Sequence, residues 1–259
     1  MMRMSGGSIH ASGLIAGYGE RRVLNGIDWT VGARRTVVIL GPGGSGKTTL
    51  LRLIQGEDAE SRGLWWRGSL EVPDLPFYFL YQQPNRGAES LADVLGRCGS
   101  HQSWPYQWQE RRCSELPIPI KKTPWSYPRD VLYGIWQCAP AAADTLRRVL
   151  EMPMAELPLN LLRLAKLTVA VATLSPYLLI DEPTAEMDDD GVAWVAQKLG
   201  ELRGQRTIVL VTHHLALARA VADDVTLLID GEILESGNAE PFFAAPRHPR
   251  ARYFVRMGS

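Results

Sequence analysis

The sequence predicts an α/β domain built on a mostly parallel sheet, and three observations predict it. Short apolar runs of strand length alternate with stretches of helical spacing. One of these runs, Val37-Val38-Ile39-Leu40, ends directly in a glycine cluster and is followed by a helical segment from about Lys47, the pattern of a buried parallel strand. The chain has 259 residues, 46% of them hydrophobic and 22% charged, which suits one large core or one core with an appended subdomain.

Taken in order, the first 35 residues read as short strands. In Val23 to Val31 the apolar side chains Leu24, Ile27, Trp29 and Val31 recur near period two, and Tyr18-Gly19-Glu20 reads as a turn. Further strands are expected at Phe77–Tyr81, Tyr177–Ile180, Thr207–Thr212 and Val225–Ile229, with a helix over Ala193–Arg203. Asp230-Gly231 fits a tight hairpin turn into Glu232-Ile233-Leu234. Leu161 to Ile180 is long and apolar, but Arg163, Lys166 and Pro176 interrupt it, so it reads as a buried helix and then a strand. Residues 98–138 keep neither period. They hold Trp104, Trp108, Trp125, Trp136, all three cysteines and five prolines, and read as a separate irregular subdomain.

Composition narrows the function classes. The chain has 28 Lys and Arg against 28 Asp and Glu, so there is no basic surplus of the kind that holds nucleic acid. Met1 to Gly7 is polar with no apolar run after it, so no secretory signal is expected. Cys98, Cys113 and Cys138 have no CxxC spacing and read as reduced thiols.

Two motifs carry chemistry. Gly41-Pro42-Gly43-Gly44-Ser45-Gly46-Lys47-Thr48 fits GxxxxGK[ST] between a predicted strand and a predicted helix. Glycines let backbone N–H groups close around phosphate oxygens, and the helix N-terminus adds partial positive charge. Lys47 is expected to reach the β- and γ-phosphates and the Thr48 hydroxyl to bind Mg²⁺. In Leu178-Leu179-Ile180-Asp181-Glu182-Pro183 an apolar strand ends in two carboxylates at the edge where the phosphate loop is expected. Asp181 suits the Mg²⁺ shell and Glu182 suits orientation of an attacking water.

With these residues in order, the chain resembles the ATP-binding subunits of ABC transporters over about residues 9–240. In that resemblance Gly41 to Thr49 is the Walker A loop, and Asp181-Glu182 ends the Walker B strand. Tyr18 stands where the family stacks an aromatic ring on adenine. Gln82, rather than Gln83, matches the Q-loop glutamine that touches Mg²⁺ and senses the membrane subunits. Asp188 occupies the D-loop position. His213 matches the switch histidine that contacts the γ-phosphate, and His214 falls where the family usually has Asp. The resemblance implies a P-loop (RecA-like) core, an N-terminal antiparallel β subdomain and an inserted helical subdomain. It divides a single domain, 1–259, into the β subdomain and first core part (1–85), a helical or irregular aromatic-rich insert (86–157), the second core part (158–239) and a C-terminal tail (240–259).

One motif departs from the family. Counting back from Asp181, the signature LSGGQ should fall on Leu157-Pro158-Leu159-Asn160-Leu161, which keeps only the leading Leu. Pro158 has neither hydroxyl nor N–H, and Leu159 puts a side chain where backbone must approach phosphate. One preorganised donor lost costs about 3 kcal/mol in barrier, so a homodimer is expected to hydrolyse ATP poorly. The resemblance thus implies a peripheral subunit on the cytoplasmic face of the membrane that binds ATP and Mg²⁺ and docks on permease subunits. It would pair with a second ABC ATPase subunit bearing an intact signature, or with its own copy. A regulatory nucleotide sensor with little turnover and a soluble ABC ATPase outside transport are the alternatives. The surroundings of Gln82 resemble those of phosphate importers, and the tail Phe242 to Arg250 resembles the closing segment of phosphate and polar amino acid importers.

Overall fold

A computed structural model describes residues 7–56, 63–75, 77–81, 153, 156, 162–163, 166–167, 170–171, 175–185 and 187–258. The readings placed on Gln82, Gln83, residues 98–138 and Leu157 to Leu161 lie outside the described residues.

Two sheets form the frame. β1 (Ile9–Tyr18), β2 (Arg21–Val31) and β4 (Leu64–Glu71) make an antiparallel sheet in the order β2-β1-β4. The strands expected to be short are long here: β1 has 10 residues and β2 has 11, joined by the Gly19-Glu20 turn. β4 was not expected from the sequence, because its Trp-Trp-Arg-Gly-Ser stretch has no alternation of apolar and polar residues.

The second sheet has the order β5-β6-β7-β3-β8-β9. It comprises β3 (Thr36–Leu40), β5 (Phe77–Leu80), β6 (Tyr177–Asp181), β7 (Thr207–Val211) and β8 (Asp224–Ile229), all parallel, with β9 (Glu232–Asn238) antiparallel to β8. The β8–β9 turn has φ 53° at Asp230 and 78° at Gly231, positive at both positions as a tight primed hairpin requires. The helices are α1 (Lys47–Gln55), α2 (Asp189–Gly200), α3 (Leu215–Val221), α4 (Ala239–Ala244) and α5 (Pro249–Met257).

The continuous apolar strands are explained by burial on both faces. Val38 and Leu40 of β3, with Leu178, Leu210 and Leu227, face one core, shared with residues of α2 to α5. Val37 and Ile39, with Leu179, Val209 and Leu228, face the other, shared with α1 and the β1–β2 side chains. Described residues 162–163, 166–167 and 170–171 are helical, with Leu162, Leu167 and Ala170 fully buried, as the sequence suggests for the stretch before β6. Residues 240–259, read as a tail, carry two helices with Phe242, Ala251 and Phe254 in the first core.

Candidate nucleotide site

Three segments meet at the carboxyl ends of neighbouring strands. β7 lies between β3 and β6, so the loop leaving β3, the acidic end of β6 and the connection leaving β7 share one edge, where open α/β sheets place their ligands.

The loop conformation depends on glycine. Gly41 has φ 151°, and a Cβ there would come within 2.0 Å of the Leu228 carbonyl oxygen. Gly46 precedes α1 with φ 102°, and a Cβ would lie 2.7 Å from the Leu24 side chain. No side chain caps α1, so its first amides are left facing the loop. Lys47 is 8% exposed, and its ammonium donates to the carbonyls of Gly41 and Pro42, each at 2.8 Å. Burial pushes Lys47 below the ordinary lysine range, opposed by the charges of Glu182 and Asp181. Thr49 and Ser45 are buried, and Ser45 Oγ has no hydrogen-bond partner among the described residues.

Asp181 ends β6 at 2% exposure. The Thr48 hydroxyl donates to its Oδ2 at 2.8 Å, while its Oδ1 is buried with no partner among the described residues. Burial raises the Asp181 carboxyl above the usual range, the Thr48 bond opposes this, Glu182 adds to it, and Lys47 and Arg52 counter it. A buried, half-satisfied carboxylate beside a hydroxyl is a pair of hard oxygen donors that fits Mg²⁺. Among the described residues no group of three or more His, Cys, Asp or Glu is placed to hold a metal ion.

Glu182 takes the left-handed conformation at φ 47°, uncommon for a residue with a side chain. Its N–H donates to the Val211 carbonyl at 2.9 Å, and its Oε2 receives the His213 ring Nδ1 at 3.0 Å and the His213 N–H at 3.4 Å. The carboxylate and the imidazole thus form a pair across the β6 and β7 ends, 31 residues apart in sequence.

Residues 24–76 match the family model of the ABC transporter. The chain is 30% identical over 254 residues to the L-cystine transport system ATP-binding protein TcyN of Escherichia coli, covering 96% of this chain and 97% of that protein. The chain belongs to the ABC transporter ATP-binding family. A probable amino-acid ABC transporter ATP-binding protein of Haemophilus influenzae is 27% identical, covering 95% of this chain and 94% of its own length. In fold the chain is similar to a solved ATP-binding subunit of an ABC transporter at TM-score 0.65 and 18% identity, covering 97% and 95% of the two chains.

Within this family frame, Lys47, Thr48, Asp181, Glu182 and His213 come together, whereas Tyr18 and Asp188 stand apart from them in hydrogen bonding. Tyr18 ends β1 and its hydroxyl accepts from Arg52 of α1 at 3.2 Å. Asp188 caps α2, accepting from the Gly191 N–H at 2.9 Å, and this moves the helix start four residues before the expected Ala193. Sequence reading missed Arg52. It follows Thr48 by one helical turn, so i to i+4 spacing on a helix starting at Lys47 was the available signal. Arg163 was also missed: its guanidinium donates to the Ala185 carbonyl just past Glu182, anchoring the helix before β6 to the acidic loop.

Proposed function

We propose that this chain is the MgATP-binding, ATP-hydrolysing subunit of an amino-acid ABC transporter. The observation that carries this is the convergence of Lys47, the Thr48–Asp181 pair and the Glu182–His213 pair at one sheet edge. Gly41 to Thr49 would wrap the phosphates, with Lys47 turning from its loop carbonyls toward the β- and γ-phosphates. Thr48 and Asp181, with Gln82, would hold Mg²⁺, which supplies charge neutralisation across the phosphates when bound. Glu182 would orient the attacking water, and His213 would hold the γ-phosphate and keep Glu182 in place. Tyr18 would stack on the adenine and Asp188 would line the neighbouring subunit's site.

Names of relatives supply the transport reading and the amino-acid substrate class. Among the described residues no helix is long and apolar enough to cross a membrane, so contact with the membrane would run through permease subunits at its cytoplasmic face. The Leu157 to Leu161 sequence supports an asymmetric pair. A partner ATPase with an intact signature would complete the site built on Lys47 and Glu182, while the opposite site would turn over slowly. The test is ATP turnover by the purified chain, alone and with a co-expressed partner ATPase, against the Glu182→Gln variant. Expected are tight MgATP binding, weak turnover alone, and Glu182-dependent turnover in the pair. Fast Glu182-dependent turnover by the chain alone would overturn the asymmetric pair. Binding without turnover even in the pair would favour a nucleotide sensor.

A further inference from the structure

His213 has an exposed ring, 65% accessible, whose Nδ1 lies 3.0 Å from Glu182 Oε2, while its backbone N–H donates to the same oxygen at 3.4 Å. Such a side chain keeps its place only if its backbone is fixed, and the chain on either side of it is fixed. Thr212 is fully buried, its N–H donates to the Ile39 carbonyl at 3.3 Å, and its hydroxyl accepts from the His214 N–H at 3.0 Å. His214 is the N-cap of α3: its ring Nδ1 accepts from the Leu217 N–H at 3.3 Å and its carbonyl from the Ala218 N–H at 3.0 Å. The helix it caps is anchored by buried Leu217, Ala218 and Val221. His213 therefore lies between a buried strand end and a capped, buried helix.

The cap is an unusual one. An imidazole nitrogen accepts a hydrogen bond only while it carries no proton. A second proton would remove the acceptor and place a positive charge at a helix N-terminus, where the helix dipole opposes it. Asn or Asp in the same place would keep accepting. Among the described residues, Glu182 is held by His213, and Arg219 of α3 lies over the Phe243 ring at 4.5 Å. α2, packed against α3, carries Asp189, Asp190 and Lys198.

We infer that His214 is a positioning residue for His213, holding it against Glu182 through the cap it makes on α3. The inference rests on the nucleotide-site reading above, in which His213 contacts the γ-phosphate. A residue acting through His213 alters recognition of the third phosphate, whereas a merely structural cap changes binding of all nucleotides alike.

The experiment measures affinity of the full chain for a non-hydrolysable ATP analogue and for ADP, each with Mg²⁺, in wild type, His214→Ala and His214→Asn. At about pH 8, His214→Ala is expected to lose about five-fold of the preference for triphosphate over diphosphate, the scale of one lost cap, while His214→Asn keeps it. Amide exchange of residues 215–218 should rise in step. A His214→Ala preference equal to wild type, or a His214→Asn preference as low as that of His214→Ala, would overturn the inference. If His214→Ala fails to fold, the near-isosteric pair His214→Thr, which keeps a cap acceptor, and His214→Val, which does not, makes the same comparison. Wild type that binds neither nucleotide would overturn the nucleotide site itself, and the positioning role with it.

Discussion

Replacing Asp181 by Asn separates the cost of its buried charge from its service to a metal. The side chain is 2% exposed, one oxygen takes the Thr48 hydroxyl and the other has no partner among the described residues. A buried polar atom left unmade costs about 1–3 kcal/mol, more when charged, and the attraction of Lys47 and Arg52 offsets part of it. Lys47 does not depend on Asp181 for hydrogen bonds, since it donates to Gly41 and Pro42 and feels Glu182 more strongly. The net expectation is that Asp181→Asn stabilises the nucleotide-free protein at pH 7 by about 1–2 kcal/mol. For a chain of this size each kcal/mol raises Tm by about 2–4 °C.

The sign follows from the raised carboxyl. Folding favours its protonated form, so wild-type stability from this group is fullest below the unfolded pKa and is lost as pH rises through the folded one. The advantage of the variant should therefore grow with pH and vanish in acid. Thermal denaturation with and without MgATP is the assay: Mg²⁺ should add a stabilising shift with ATP in wild type and little in the variant. A nucleotide-free variant less stable than wild type, or one keeping the full Mg²⁺-dependent shift, would refute the reasoning.

Two further outcomes are expected. Phe254→Ala should cost about 3–5 kcal/mol in chemical denaturation, because Phe254 is 2% exposed inside the first core; a solvated tail would show no change. Lys166 is buried and desolvation lowers it from 10.5 to about 8, so the unfolded chain binds more protons between those values and stability should rise with pH across that window. Relative to Lys166→Met, the wild type should gain up to about 3 kcal/mol from pH 8 to pH 10.5, read by urea denaturation at each pH.

Much of this protein was legible in the chain because its signals are local. The phosphate loop needs glycines where a Cβ would strike Leu228 or Leu24, and those glycines stand in eight consecutive residues. The strands β3, β6, β7 and β8 are apolar on both faces, and a run such as Val37 to Leu40 declares that without any partner in view. β4 escaped because Trp65, Trp66 and Arg67 do not alternate, and its register is set by β1 across the sheet. α3, α4 and α5 escaped because they are short or rich in arginine, and their stability comes from a few buried side chains such as Leu217 and Phe254.

By itself the sequence determined the α/β class, the phosphate loop, the paired carboxylates ending a buried strand, and the order of motifs that marks the family. Each of these is a matter of residue type at fixed spacing along one segment. The tertiary structure alone decided that β7 enters between β3 and β6, which sets His213 against Glu182 and Thr48 against Asp181. It also decided that Tyr18 is tied to Arg52, and that His214 serves as a helix cap. These pairings join residues from separate elements or depend on where a helix begins, and only packing brings such groups within the 3 Å or so at which hydrogen bonds act.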